Sequence, residues 1–196
     1  MYLLSSLALV CFASLADEGQ WQPHQMAELQ DELNAKGITI PGKQLADLSL
    51  YPMNAMVSMG YCSAAFVSPN GLVLTNHHCA YSAIQNNSSK DNNLIEKGFL
   101  AKTMAQELPA GPQERLYITE AVTDVTVQVA GNIAADLSGK ARFEALEANR
   151  KALIKACESD ANYRCSVVSF HHGLEYFLIK QLMLQDVRLV HAPAEA

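Results

Sequence analysis

The chain has 196 residues, 49% hydrophobic and 17% charged, with a formal net charge of −6 from 14 basic and 20 acidic side chains. That size suits one domain, and that composition excludes a disordered tail, a collagen-like repeat and a long coiled coil. The longest basic run is Arg150-Lys151, so the basic stripe of a general nucleic-acid binder is missing and no nucleic-acid partner is expected.

Residues 1–16, MYLLSSLALVCFASLA, form an apolar stretch ending in the small-residue pattern Ser14-Leu15-Ala16, followed by the polar Asp17-Glu18-Gly19. A core of about a dozen apolar residues suits an export signal and falls short of the roughly 20 needed to span a bilayer. Cleavage after Ala16 and a secreted or periplasmic destination are expected, with no membrane span. The first basic side chain is Lys36, so the signal would carry only its terminal amine as positive charge. A buried N-terminal helix is the alternative reading.

Met26, Leu29 and Leu33 place an amphipathic helix over residues 21–36, stopped at Gly37 and anchored by Trp21. Residues 53–59 are an apolar run of strand length. Ala64-Ala65-Phe66-Val67, then Ser68-Pro69-Asn70-Gly71, then Leu72-Val73-Leu74-Thr75 predicts a hairpin, with Asn-Gly supplying positive φ angles. Residues 88–93 are a polar loop. Over 115–130, Val125, Val127 and Val129 alternate with Thr126 and Gln128, predicting one or two strands. Over 139–157, Phe143, Leu146, Leu153 and Cys157 share one helical face, and Glu147 pairs with Lys151 at i,i+4. From 164 to 190 a second strand-rich block follows, broken at His171-His172-Gly173 and near Gln185-Asp186. Its residues 176–184 are apolar on both faces, which suits a strand buried on both sides. The expected fold is mainly β with some α.

Cys11 would leave with the signal, so the mature chain keeps Cys62, Cys79, Cys157 and Cys165. An even set in an exported protein favours disulfides. Proximity pairs Cys62 with Cys79 and Cys157 with Cys165, and closing the first loop of about 16 residues stabilises the fold by roughly 3 kcal/mol. The rival is a zinc site, because His77-His78-Cys79 stacks three possible ligands. On a strand, adjacent side chains point to opposite faces and make a poor ligand set. No metal or cofactor is therefore assigned. A histidine directly before a cysteine that a hairpin ties to another cysteine is also how a general base would be given a rigid platform.

The wider wording is more specific. Asp17-Glu18-Gly19-Gln20-Trp21, Gly60-Tyr61-Cys62-Ser63-Ala64, the stretch from Val67 through Asn76-His77-His78-Cys79, and Ala83-Ile84-Gln85 resemble the bacterial dipeptidyl-peptidase family of chymotrypsin-like serine peptidases (dipeptidyl peptidase 7 and 11 type). Gly98-Phe99-Leu100-Ala101, Glu107-Leu108-Pro109, Asp124-Val125-Thr126, Cys165 to Phe170, Gly173-Leu174-Glu175-Tyr176 and Asp186 to Val190 extend the likeness over nearly all of residues 17–196.

The resemblance implies the first barrel of a chymotrypsin-like double β-barrel and an enzyme releasing dipeptides from the free N-terminus of oligopeptides. It implies His78 as the catalytic base, His77 as a neighbour pointing away, no cofactor, and homodimers among full-length relatives. The catalytic Asp, the segment that clamps the substrate amine and the nucleophilic Ser would lie beyond Ala196. Residues 17–196 are thus expected to be an N-terminal part of the catalytic domain, inactive alone. Asp124, 46 positions after His78, is an attractive but misplaced triad acid, and Ser88-Ser89 and Ser138-Gly139 lack a Gly-rich nucleophile turn. His171 and His172 stand where the family has a Tyr-Gly-type pair and read as substitutions, not metal ligands. In a bacterial product the sequons at Asn86 and Asn87 are chance. The alternative function is a catalytically dead secreted binding module that retains the disulfide-pinned barrel.

Overall fold

The computed structural model describes residues 21–194; the expected export signal, Cys11 and the last two residues lie outside them. The body is a six-stranded antiparallel sheet built from β1 (Met56–Ser58), β2 (Ser63–Phe66), β3 (Val73–Thr75), β6 (Leu116–Asp124), β7 (Tyr163–Phe170) and β8 (Glu175–Leu184), in the order β3-β2-β1-β6-β8-β7. Two short pairs brace its flank: β4 (Phe99–Leu100) with β10 (His191–Ala192), and β5 (Leu108–Pro109) with β9 (Arg188–Leu189). The helices are α1 (Gln30–Ala35), α2 (Gly42–Ala46), α3 (His77–Asn86), α4 (Leu94–Lys97), α5 (Thr126–Ala130) and α6 (Gly139–Cys157). The mainly β fold with several helices is what the residue patterns predict, and a barrel-like domain is what the family resemblance implies.

Alternation explains the sheet. Val57 is buried between exposed Met56 and half-buried Ser58, and it meets Ala64, which in turn opposes Thr75. The β2–β3 hairpin forms as expected, but its connection is wider than a two-residue Asn-Gly turn. The Val67 N–H bonds the Leu72 carbonyl across four residues, Ser68 Oγ accepts from the Asn70 and Leu72 amides, and only Gly71 takes positive φ. The β1–β2 connection is tighter: Met59 N–H bonds the Cys62 carbonyl around Gly60-Tyr61, with Gly60 at φ 83°. Gly at the first central position is what a right-twisted hairpin asks for.

Several local expectations need correction. The N-terminal helix is split into a 3-10 turn, Pro23–Glu28, and α1, with Leu33 its buried residue; Trp21 precedes both and is exposed, not a packing anchor. Only residues 56–58 of the 53–59 run are strand, the start being a 3-10 turn. The valine alternation ends in helix: β6 stops at Asp124, and α5 buries Val129 four residues after Val125 while Val127 is 73% exposed. On α6, Leu146, Leu153 and Ile154 face the core, Phe143 is 63% exposed, and Glu147 bonds Arg150, not Lys151.

Three clusters form the interior. Val57, Met59, Cys79 and Leu116 pack under the short strands; Ile84, Leu94, Leu189 and Ala192 pack beneath α3 and α4; Val125, Val129, Val167 and Tyr176 pack beneath α6. The outer edge of β7 is covered by side chains from α6 and the residue after it. Arg150 Nη2 donates to the Val167 carbonyl and Glu158 accepts from the Cys165 amide, which blunts an eight-residue strand that would otherwise invite pairing. At the β7–β8 turn, His171, His172 and Gly173 all take positive φ (49°, 57° and 88°), and His171 Nε2 lies 3.6 Å from Glu175. Among the described residues no helix is long and apolar enough to cross a membrane.

Candidate active site

The hairpin delivers Asn76 in extended conformation, and the chain turns there into α3, with the Cys79 amide bonding the Asn76 carbonyl. His77, His78 and Cys79 therefore occupy the first turn of a helix and not a strand, as first expected. Successive side chains on a helix diverge by about 100°, so the two imidazoles part. His77 meets the edge of the Tyr81 ring one turn on, at a centroid distance of 6.1 Å. His78 turns to an open polar cleft of about 390 Å³ lined by Ser58, Gly60, Tyr61, Cys62, Ser63 and Asn76.

This helix start is held at both ends. Cys79 is buried among Val57, Met59 and Leu116 and is bonded to Cys62 on the β1–β2 turn. At the other end Ile84, 1% exposed, is fixed among Leu94, Leu189 and Ala192. Ala80 and Ala83, one turn from Ile84 or beside it, keep the contact face narrow, while His77, His78 and Tyr81 remain exposed. The His78 ring thus sits in solvent on a helix fastened at both ends.

A third brace was not visible in the sequence. The Tyr61 hydroxyl donates to Glu114 (2.8 Å) and lies 3.2 Å from the Cys79 carbonyl. Screening of the hydroxyl from water, and then its bond to the Glu114 carboxylate, push the phenol up to about 12. Tyr61 carries a signal only through its position beside Cys62, and Glu114 lies 53 residues away with none.

The remaining candidates are elsewhere. Asp124 lies seven residues beyond Tyr117, whose ring stands over Gly60 at the cleft; at 3.3 Å per strand residue that is about 23 Å away. Its carboxylate accepts from the Thr126 amide at the start of α5, and those Thr126 bonds hold it below the usual Asp range. Ser58 and Ser63 line the cleft, and Ser58 Oγ accepts from the Gly60 amide; among the described residues neither is hydrogen-bonded to His78. Cys157 bonds Cys165, tying the end of α6 to β7. The three groups His78, Cys62 and Cys79 have ligand atoms within 4.8 Å of one another, but the two sulfurs are spent on their mutual bond.

The six-stranded sheet with its flanking helices is a barrel-like, mainly β domain, and it presents an exposed imidazole beside a disulfide. A family model described as Peptidase S46 matches residues 16–196, and the chain belongs to that family. It is 59% identical over 194 residues to the Asp/Glu-specific dipeptidyl-peptidase of Shewanella putrefaciens, covering 99% of this chain and 26% of that protein. It is 34% identical to dipeptidyl-peptidase 7 of Porphyromonas gingivalis, covering 91% of this chain and 25% of the relative. Among solved structures, Porphyromonas endodontalis DPP11 in complex with the dipeptide Arg-Asp superposes with a TM-score of 0.77 at 29% identity, over 91% of this chain and 27% of that one. The chain spans about a quarter of the length of the relatives it matches.

Proposed function

We propose that this chain carries the general base of a serine dipeptidyl-peptidase and that the base is His78. The observation that carries the reading is the placement of His78 in the first turn of α3, directly before the disulfide-held Cys79 and facing the polar cleft. The imidazole takes the proton of a serine hydroxyl as that oxygen attacks the carbonyl two residues from the substrate N-terminus. It then returns the proton to the leaving amine. The serine and the triad carboxylate come from the larger part of the protein, beyond the quarter matched here. No step calls for a cofactor.

The identity of 59% to the Asp/Glu-specific relative, against 34% to dipeptidyl-peptidase 7, supports an acidic residue in the released dipeptide. The dipeptides in two complexes of the structural relative, Arg-Glu and Arg-Asp, carry the acid second. We place it at the residue before the scissile bond. Two disulfides among the described residues support an oxidising compartment, with residues 1–16 as the export signal and a secreted or periplasmic enzyme as the product. The full-length protein is expected to form a homodimer.

The test is a chimera in which this chain replaces the matched quarter of the Shewanella relative. Release of dipeptides ending in Asp or Glu is expected, with poor turnover of dipeptides ending in an apolar residue. A folded, oxidised chimera without activity contradicts the reading. The 196 residues alone are expected to release nothing. Release by them, abolished by Asp124→Ala, would reinstate a compact triad.

A further inference from the structure

The disulfide that braces His78 joins two sulfurs that stand beside a third potential metal ligand, the His78 ring. His78, Cys62 and Cys79 place one ring nitrogen and two sulfurs within 4.8 Å of one another. In a tetrahedral zinc centre, bonds of about 2.3 Å to sulfur and 2.0 Å to nitrogen hold such atoms roughly 3.5–3.8 Å apart. The nitrogen-to-sulfur separations therefore exceed the required spacing by about 1.3 Å at most. The Cα atoms of Cys62 and Cys79 are 6.1 Å apart, so once the sulfur–sulfur bond is gone each side chain can swing about χ1 without moving the backbone far. His78 is exposed, Cys62 half-buried and Cys79 buried, which gives a site with a floor and an open mouth. The mouth is the polar cleft of Ser58, Ser63 and Asn76, through which a hydrated ion can enter and keep one water as fourth ligand. The helical turn matters: on a strand His78 and Cys79 would face opposite ways, and it is α3 that brings both toward Cys62.

We propose that reduction of the Cys62–Cys79 disulfide turns the base-bearing turn into a zinc site with Cys62, His78 and Cys79 as ligands. A dithiol reductant gives two electrons and two protons to the disulfide, leaving two protein thiols and the oxidised, cyclic reductant. Zn²⁺ then displaces one proton from each thiol, so two thiolates and a neutral imidazole hold the ion with no net charge. The ion occupies the imidazole lone pair that would otherwise accept a proton. That last consequence rests on His78 being the base, whereas the site itself does not. The other disulfide is an internal contrast. Cys157 and Cys165 have a carboxylate nearby, with Glu158 bonded to the Cys165 amide, but among the described residues no histidine joins them in a ligand cluster.

The experiment uses the full chain, reduced with a phosphine and titrated with Co²⁺ and then Zn²⁺. Binding is read from thiolate-to-cobalt charge transfer and from the visible ligand-field bands, with circular dichroism reporting the fold. One ion per reduced chain and none per oxidised chain is expected. His78→Ala should weaken binding at least tenfold and abolish the tetrahedral cobalt bands, while His77→Ala leaves both unchanged. No stoichiometric binding after reduction overturns the proposal, as does an equal effect of His77→Ala and His78→Ala, whether the reduced chain stays folded or not. Because binding and not peptidase activity is read, a failure here leaves the dipeptidyl-peptidase reading to its own test.

Discussion

The two halves of the sheet use similar parts for different ends. Around β1, β2 and β3 the strands are three or four residues long, and a disulfide fastens a helix start that bears an exposed imidazole. Around β6, β7 and β8 they are eight to ten residues long, and a second disulfide fastens the long helix α6 to an edge strand, with no histidine clustered beside it among the described residues. In the first half the cross-link positions a side chain. In the second it closes a seam that Arg150 and Glu158 also close. A disulfide is thus no mark of a site by itself, and what distinguishes the two is the residue next to each cysteine and the cleft it faces.

The largest test of this contrast is in the packing. Ile84→Ala should cost about 3–4 kcal/mol, because a fully buried side chain that fixes the far end of α3 leaves a cavity. Phe143→Ala on α6 should change stability by less than about 0.5 kcal/mol, since that ring is mostly in solvent. Chemical denaturation of both variants checks the pair, and equal losses would refute the assignment of faces.

Removing the disulfides sharpens it. Replacing Cys62 and Cys79 by Ala should cost about 3 kcal/mol and replacing Cys157 and Cys165 about 2.5 kcal/mol, from sequence separations of 17 and 8. The two stabilities should therefore be nearly matched. Only the first replacement should shift and broaden the His78 ring signals in NMR spectra. A comparable change at His78 on losing the second disulfide would mean that the halves are coupled.

Tyr61→Phe is a smaller change, about 1 kcal/mol, because the 62% exposure of Tyr61 weakens its hydrogen bond to the charged Glu114. Its pH dependence has a definite sign. The folded phenol titrates at about 12 against the usual value near 10, so the protonated form is favoured by folding. The stabilisation is complete below pH 10 and fades as the pH rises toward 12. Tyrosinate absorbance should show one late-titrating phenol that Tyr61→Phe removes. Its persistence in the variant would assign the late group elsewhere.

The sequence was most readable where one signal stood alone. The span of α6 and the hairpin around Asn70-Gly71 could be placed from periodicity and turn chemistry, and the cysteine pairing from proximity. It was least readable where two periods fitted the same residues. Val125, Val127 and Val129 satisfy a strand by alternation, yet Val125 and Val129 also stand one helical turn apart. The burial of those two, against the 73% exposure of Val127, shows that the helical spacing won. In α3 the buried Cys79, Ala83 and Ile84 carry a helical period that the preceding strand and the conspicuous His-His-Cys obscured. The Tyr61–Glu114 brace spans 53 residues, and no local pattern encodes a contact of that kind. The divergence of His77 and His78 was implied by family likeness, and its physical cause, the helical turn, emerged only with the fold.

The most direct measurement compares kcat/KM of the chimera with its His78→Ala and His77→Ala forms on a substrate with Asp or Glu before the scissile bond. Loss of about 10⁴-fold or more in His78→Ala, with His77→Ala within about threefold of the parent because exposed side chains away from the chemistry change little, is the expected result. Retained activity in His78→Ala, or equal losses in both, would contradict the assignment of His78 as the base.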